Sequence, residues 1–357
     1  MKSSILKSLI SLLLPLSIAP LAAQESEPAV VVTTEGLWNT TTGVANWVTL
    51  LDVDYEFGLW QGASFRLDLL AVANLRQEQH KSGVADNLHI FSAIEDSPST
   101  LSLMTFGIGQ HLHDGQWRLF FGIRDLGKDY FTTPWNAIFT SSMNGLYPSI
   151  STNFVVADAP NAAMALHAEW HPTKRWAAKL SLYDGVASSE WNELFRLNIS
   201  RDGLFAIGEV GYSGPDNSFA GNYRLGATFG YAPTAEELAT GGHHKSRRAS
   251  LWFLGEQPLY KGFGGRAVEM VLHAAWAPQS DCHLYGAAAV VCKGVLSSAD
   301  HFGLLLGRGL YKSGYETLLE LTYSYRWQSL TLQPAIHRVF ASVGRATVAM
   351  LKLTVEL

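Results

Sequence analysis

The chain has 357 residues, of which 47% are hydrophobic, 16% charged and 11% aromatic, and its formal net charge is -5. This acidic balance excludes a dedicated nucleic-acid binder, whose surface would be basic. After residue 23, no apolar run approaches the roughly 20 residues that a membrane helix needs, so helical membrane proteins are excluded too. Low charge with many aromatic residues and 32 glycines fits an exported all-β chain, either a soluble sandwich or a transmembrane barrel.

The first 23 residues have the pattern of a secretory signal peptide. Two lysines precede an apolar run from Leu9 to Leu21, and a pair of alanines then meets a polar stretch. A membrane-anchoring helix is the alternative, but the run is short and two prolines interrupt it. We therefore predict cleavage after Ala23, export, and one barrel domain over residues 24–357.

Segments with one apolar and one polar face follow along the chain and predict strands. Phe65, Leu67 and Leu69 alternate with Arg66 and Asp68, for example. The same alternation marks residues 117–124, 164–171, 195–200, 222–231, 268–276 and 319–327, and a closing strand is predicted over 346–357. The polar or Gly-rich stretches between them, at 77–87, 213–220, 234–248 and 277–298, are predicted to be loops.

Aromatic residues decide between a sandwich and a membrane barrel, because alternation alone fits both. Several lie at the ends of apolar faces, where a membrane barrel has its interfacial girdles: Trp117, Trp170, Trp176, Tyr223, Tyr231, Trp276 and Trp327. With roughly 20 residues for each strand and its connection, the mature length predicts an antiparallel barrel of about sixteen strands. A barrel of that size encloses a water-filled lumen.

A long connection, at roughly residues 125–160, separates two of these strands. Prolines, Asn144 and Gly145 break any regular element there, although a helical turn is predicted near Trp135 to Phe139. Connections of this length in a compact protein are usually functional. We expect this one to fold inward and narrow the lumen.

Motifs around this connection resemble a known family. The sequence runs from Gly122-Ile-Arg-Asp-Leu-Gly127 through Trp135-Asn-Ala-Ile-Phe139 to Tyr183-Asp-Gly185. Further motifs follow at residues 209–212, 221–226, 315–323 and 332–335. In this order they are similar to the carbohydrate-selective porins, the OprB-type family of Gram-negative outer membranes, over roughly residues 35 to 357. The resemblance implies passive diffusion of mono- or oligosaccharides across the outer membrane. The terminal Leu357 departs from the family, which usually ends in an aromatic residue.

Charged residues on the polar strand faces are candidates for lining the pore. Both signs occur among them: Arg66, Asp68, Arg118, Arg124, Arg196, Arg224, Glu320 and Arg326. Mixed charges can hydrogen-bond sugar hydroxyls, while aromatic rings suit their C–H faces. Tyr130, Trp135 and Asn136 on the long connection are therefore our candidates for sugar contacts. The alternative is that the wall charges only pair with one another.

The sequence gives few indications of a disulfide, a metal site, a cofactor site or a catalytic site. Cys282 and Cys292 are expected to form a disulfide in an oxidising compartment, with two free thiols as the alternative. No cofactor or metal is expected, and the sequence has neither a G-x-S-x-G elbow nor a phosphate-binding loop. An outer-membrane hydrolase and a structural or adhesive barrel remain as alternatives. The expected partners are sugars and outer-membrane lipid, and the sequence leaves open whether the barrel forms a homo-oligomer.

Overall fold

The computed structural model describes residues 27–76, 84–85, 88–89, 91–95, 97–215 and 219–357, and the predicted signal peptide lies outside them. Within these residues, sixteen strands pair antiparallel with their sequence neighbours, and β1 pairs with β16 to close a barrel. The strands are β1 Ala29–Asn39, β2 Ala45–Trp60, β3 Ala63–Asn74, β4 Thr100–Leu112, β5 Trp117–Arg124, β6 Ala163–Trp170, β7 Trp176–Asp184, β8 Leu204–Ser213, β9 Asn222–Ala232, β10 Ser246–Lys261, β11 Ala267–Trp276, β12 Cys282–Lys293, β13 Asp300–Tyr311, β14 Gly314–Trp327, β15 Leu330–Ala341 and β16 Gly344–Glu356. The predicted barrel is confirmed.

The helices of the described residues are few and short, and all of them lie in the connections. The α-helices are α1 Pro148–Ser151, α2 Trp191–Leu194, α3 Ile199–Asp202 and α4 Ala235–Ala239, and 3-10 turns occur at Asn136–Ile138, Ser142–Asn144 and Phe263–Gly265. The first 3-10 turn confirms the helical turn predicted near Trp135. In the described part of the chain, no helix has the length and apolarity to cross a membrane.

Alternation along each strand separates an outer from an inner surface. On β14, Leu319 is 38% exposed whereas its neighbour Glu320 is fully buried, because the odd positions face out and the even positions face in. The predicted girdle residues all lie on the outer face. Trp117 and Trp170, for example, are cross-strand partners whose rings stack with centroids 5.5 Å apart.

The two ends of the barrel differ in their connections. At the end that holds both chain termini, the connections run from two residues at 61–62 to eight at 214–221. At the other end, four long connections cover residues 75–99, 125–162, 185–203 and 233–245. We call these the turn end and the loop end. Outer-membrane barrels have short periplasmic turns and longer extracellular loops, so we expect the loop end to face outward from the cell.

Two sequence predictions of local structure are wrong. The expected strand at residues 195–200 is part of the connection after β7, which contains α2 and α3. Phe195 of this connection packs on the outer face of the barrel, with its ring centroid 5.5 Å from that of Phe106. Its apolar side chains Phe195, Leu197 and Ile199 alternate along the segment and are each more than half exposed.

The loop predicted at 277–298 is the second error, because it contains all of β12. Cys282 and Cys292 are the first and eleventh residues of this strand, so about 33 Å separates them at the usual rise of ~3.3 Å per residue. A disulfide needs Cα atoms within about 7 Å. Both cysteines are free, and the predicted disulfide is wrong.

Candidate permeation pathway

The long connection after β5 folds into the barrel, as the sequence predicted. We call residues 125–162 the inner loop. Its aromatic residues pack on the inner wall, where Phe131 lies 4.8 Å from Trp252 and Tyr147 lies 5.4 Å from Tyr285, measured between ring centroids. Both loop residues are buried. This packing covers the inner wall of β10 to β15 along most of its height.

A carboxylate on β10 holds the middle of the inner loop. Glu256 Oε1 accepts hydrogen bonds from the Trp135 amide at 2.9 Å, from the Asn136 amide at 3.2 Å and from the Thr133 hydroxyl. These donors include the first amides of a 3-10 turn, which have no partner within the turn itself. Because Glu256 is fully buried, these loop donors rather than bulk water are the hydrogen-bond partners of its Oε1 atom.

A second carboxylate, on β14, holds the next part of the loop in the same way. Glu320 accepts from the Thr140 amide at 2.7 Å, the Thr140 hydroxyl at 2.9 Å and the Ser141 amide at 3.1 Å. On β15, Gln333 donates to the Ile138 carbonyl at 2.6 Å, and His337 Nε2 lies 3.0 Å from the Thr140 hydroxyl. The loop is thereby tied to strands on the far side of the barrel from β5, where it starts.

The first residues of the inner loop, directly after β5, are held by charged side chains of the barrel wall. Arg124 donates two hydrogen bonds of 2.6 Å to the carboxylate of Asp129, and Lys179 donates to the Asp129 carbonyl at 2.7 Å. Burial alone would raise the pKa of Asp129, but the Arg124 guanidinium outweighs it and holds that pKa below its usual range. Tyr130 is buried beside this pair, and its hydroxyl lies 2.8 Å from that of Ser181.

A second connection also enters the barrel, which the sequence did not predict. In the described part of residues 75–99, the Leu88 amide donates to Glu316 of β14 at 2.5 Å, and Asn39 donates to the Val84 carbonyl at 3.0 Å. The predicted loop at 77–87 lies mostly outside the described residues. Two connections therefore contribute to filling the lumen.

A row of charges of both signs lies on the inner face of β5 to β9, and its arginines are partly accessible. Arg118, Glu169, Lys179 and Glu209 are successive cross-strand partners on β5, β6, β7 and β8, and Arg224 of β9 follows diagonally. Their signs alternate along this row, and the nearest nitrogen and oxygen atoms lie 3.7–3.9 Å apart in its ion pairs. Arg118 and Arg224 keep 52% and 25% of their side chains exposed, whereas Glu169 and Lys179 keep 15% each and Glu209 only 3%. We call these five residues the charge row.

A second accessible cluster lies on β2 and β3, around Lys128 of the inner loop. The Lys128 ammonium lies 3.2 Å from Asp54 and 3.9 Å from Asp52, and it also pairs with buried Asp68. Burial alone would lower the pKa of Lys128, but the Asp68 carboxylate raises it above its ordinary value. Arg66 and Glu56 pair beside this cluster at 3.0 Å. The side chains of Lys128 and Arg66 are 41% and 37% exposed.

Comparison with known proteins identifies the family. A family model described as "Carbohydrate-selective porin, OprB family" matches residues 51–262, well over half of the chain. This chain belongs to the carbohydrate-selective porins of the OprB family. It is therefore an outer-membrane porin, a channel for the passive diffusion of carbohydrates.

Solved structures agree with the fold of an OprB-family porin. The high-pH structure of Pseudomonas putida OprB matches with a TM-score of 0.77 and 16% identity, covering 93% of this chain and 94% of that chain. The low-pH structure of the same protein matches with a TM-score of 0.63 and 17% identity, covering 93% of this chain and 92% of that chain. A Rhodopseudomonas blastica porin triple mutant matches with a TM-score of 0.58 and 10% identity, covering 93% of this chain and 99% of that chain. A search of curated protein sequences found no match.

The predicted pore-lining residues of this OprB-family porin fall into three groups. Arg66, Arg118, Arg224 and Arg326 face inward and keep exposed side chains, with Arg326 at the turn-end rim beside Glu356. Asp68, Arg124 and Glu320 also face inward, but they are largely buried and hold the inner loop. Arg196 is not on the wall, because it lies between α2 and α3 and pairs with Glu193.

The predicted sugar contacts on the inner loop need a correction. Tyr130 and Asn136 are buried, and Asn136 donates to the Phe131 and Asn144 carbonyls within the loop. Neither side chain is accessible to a solute, so both are structural here. Trp135 remains half-buried, with its ring 6.1 Å from that of His301 on β13. Lys128, Asp52 and Asp54 were missed, although their place on a polar strand face and on the loop could have indicated them.

One buried cluster contains the residue types of a hydrolase triad but not its geometry. Ser181 Oγ lies 2.7 Å from His167 Nδ1, and Asp129 Oδ2 lies 3.9 Å from the same nitrogen. In a catalytic relay the nucleophile and the acid engage opposite ring nitrogens. Ser181 is also fully buried. Across the described ranges, no group of three or more His, Cys, Asp or Glu side chains is placed to hold a metal ion.

Proposed function

We propose that uncharged mono- and oligosaccharides pass between the charge row and the Lys128 cluster, with Trp135 as an aromatic contact. The observation that supports this route is the distribution of exposed side chains. Inner residues of β10 to β15 are covered by the inner loop along most of the wall, whereas Arg118, Arg224 and Lys128 keep accessible charge.

The alternating signs of the charge row suit a neutral, hydroxyl-rich solute. A sugar hydroxyl both donates and accepts hydrogen bonds, so adjacent guanidinium and carboxylate groups can bind it in either role. Because these side chains already pair with one another at 3.7–3.9 Å, a passing sugar exchanges one weak contact for another and is released readily. Such a row would select by hydrogen bonding without trapping the solute.

The remaining parts of the proposal concern the whole chain. Residues 1–23 would act as a signal peptide that is cleaved during export, leaving residues 24–357 as the porin domain, with outer-membrane lipid around it. We propose no catalytic role for this domain, since the family comprises channels. The barrel would function by passive diffusion alone.

Arg118→Ala tests the route. This side chain is half exposed, and its ion pair is with Glu169, so its removal should spare the fold. We expect about fivefold weaker sugar-dependent block of ion current, since one hydrogen bond to a charged group contributes about 1 kcal/mol or more. Planar-bilayer recordings with a titrated oligosaccharide would measure it.

Leu319→Ala is the matched control, because Leu319 faces outward and should change packing alone. Liposome-swelling assays with sugars and with solutes of equal size that lack hydroxyls complete the test. If sugars neither swell liposomes nor block current in the wild type, sugar permeation through this barrel is refuted. If they do, but Arg118→Ala behaves as wild type, only the proposed route is refuted.

A further inference from the structure

Three arginines face outward on one side of the barrel, near its loop end. Arg308 of β13, Arg338 of β15 and Arg345 of β16 occupy positions that alternate with buried inner residues. Arg308 and Arg338 lie three residues before the ends of their strands, and Arg345 is the second residue of its strand. The carbohydrate pathway inside the barrel uses none of them.

The register brings these three side chains close together. Arg308 pairs with Thr317, Thr317 with Phe340, and Phe340 with Arg345, while Arg338 pairs with Thr347 one step further along. Arg308 and Arg338 are two strand spacings of ~4.8 Å and two residues of ~3.4 Å apart, so they lie about 12 Å from each other, and Arg338 and Arg345 are diagonal neighbours about 7–8 Å apart. Together they form a basic patch four strands wide.

Within the described part of the chain, no negative charge compensates the patch. Among the described residues, none of the three arginines forms an ion pair with a carboxylate. Near the loop end, the outward positions of β13 to β16 include no Asp or Glu, and the nearby Glu316 points inward and is buried. An unpaired guanidinium on a lipid-facing surface is costly unless it reaches polar groups at the interface.

Neighbouring aromatic rings orient two of the guanidinium groups. The Arg308 guanidinium lies 4.6 Å from the ring centroid of Tyr315, and that of Arg338 lies 5.1 Å from Phe340. Arg338 also donates to the Thr347 hydroxyl. The connections beside the patch are only two residues long, at 312–313 and 342–343, so neither of them can shield it from the leaflet.

We propose that this patch binds the phosphate groups of lipid headgroups in the outer leaflet. Guanidinium groups match phosphate in charge and in their paired hydrogen-bond donors. The spacing allows the Arg338–Arg345 pair to take one phosphate and Arg308 to take a second, so a headgroup with two phosphates fits best. A second copy of this chain in a twofold contact is a poorer occupant, because that contact would bring like charges together.

The test compares two proteins in a neutral detergent, the folded full-length barrel and its triple variant Arg308→Gln/Arg338→Gln/Arg345→Gln. The quantity measured is lipid binding. The probe is lipid A with both phosphates, followed by native mass spectrometry, with dephosphorylated lipid A and inorganic phosphate as separate arms. Each basic residue near a charged leaflet contributes about fivefold to binding, so the triple variant should bind bisphosphorylated lipid A about 100-fold more weakly. Dephosphorylated lipid and free phosphate should bind weakly to both proteins.

Lys174→Gln/Arg175→Gln/Arg266→Gln is the matched control, because it removes the same charge from exposed turns at the opposite end. It should bind the probe as wild type does. Heat-modifiable migration on a gel confirms folding, and if the triple variant does not fold, the three single variants, each about fivefold weaker, replace it. The proposal is overturned if the folded variants bind like wild type, if dephosphorylated lipid binds equally well, or if only the oligomeric mass changes.

Discussion

The inner wall of the barrel has two halves that use the same alternating pattern differently. On β10 to β15, inward carboxylates such as Glu256 and Glu320 are fully buried and bind backbone amides of the inner loop. On β5 to β9, inward charges such as Arg118 pair with other side chains and remain partly exposed. A charged residue that points into a lumen can therefore anchor a loop, as Glu320 does, or line the water-filled path, as Arg118 does. Arg224 does both, because it donates to the Thr132 carbonyl of the inner loop and stays partly exposed.

This difference has an energetic consequence. A buried carboxylate whose charge is compensated by amides cannot be removed without leaving those donors unpaired, which costs roughly 1–3 kcal/mol for each group. An exposed ion pair contributes about 0–1 kcal/mol. Substitutions of inward charges on β10 to β15, the covered half, should therefore lower stability. Substitutions of inward charges on β5 to β9, the exposed half, should alter selectivity.

Glu320→Ala should have the largest effect, because it removes a buried anchor of the inner loop from the covered half of the wall. It leaves two amides and a hydroxyl without their acceptor, so we expect about 3 kcal/mol of lost stability. Release of the inner loop should also raise single-channel conductance. Urea titration in detergent and planar-bilayer recordings measure the two effects. In the exposed half, Arg118→Ala removes a half-exposed partner of Glu169 and should cost under about 1 kcal/mol. Equal losses for the two variants would contradict the distinction.

An intermediate effect should come from pH, through two carboxyl groups at the ends of the inner loop. Burial raises the pKa of Asp125 to about 7 and that of Asp158 to about 6. Their carboxylates converge on Gly127, where an added Cβ would lie 3.1 Å and 2.9 Å from them. Both pKa values exceed the ~3.9 of an unfolded aspartate, so the folded chain binds more protons between about pH 4 and pH 7.

Stability should therefore fall as the pH rises through this window. We expect the free energy of unfolding to be on the order of 1–2 kcal/mol lower at pH 8 than at pH 5. Asp125→Asn should remove much of the difference, whereas Asp114→Asn, in an exposed turn, should leave it intact. Urea titrations at the two pH values would decide it, and an unchanged pH dependence in Asp125→Asn would exclude this carboxyl as its source.

The smallest expected effect is that of reductant. The covered half includes β12, whose two cysteines lie at opposite ends of the strand, so its cohesion depends on packing and hydrogen bonds alone. Dithiothreitol should leave the midpoint of thermal unfolding unchanged, and thiol titration of the unfolded chain should find both cysteines free. A reductant-sensitive midpoint would show a covalent link that this geometry does not allow.

Strand faces were predictable because alternation is a local property. Residues 222–231 and 319–327 carry large apolar side chains on one face and polar ones on the other, and the structure places these faces as predicted. β12 was missed because its outward residues include Gly286 and Ala288, which contrast too little with inward alanines. Residues 195–200 were misread because a connection lying on the outer wall can have the same alternation as a strand.

The anchors of the inner loop could not be predicted in this way. Glu256 lies 121 residues from Trp135, and Glu320 lies 180 residues from Thr140. No local pattern indicates which inward carboxylate meets a loop amide. Tyr130 and Asn136 illustrate the same limit, because the type of side chain suggested sugar contacts while long-range packing buried both.

These long separations also set an order of assembly. Strands β10 to β16 are joined by connections of two to six residues and can pair as successive hairpins, whereas the inner loop binds partners that are synthesised long after it. Contacts between distant residues form slowly, because the intervening chain must first be brought together. The nascent barrel should therefore close around a wider, emptier interior. Docking of the loop would then be the last step of maturation and would turn an open cylinder into a selective one.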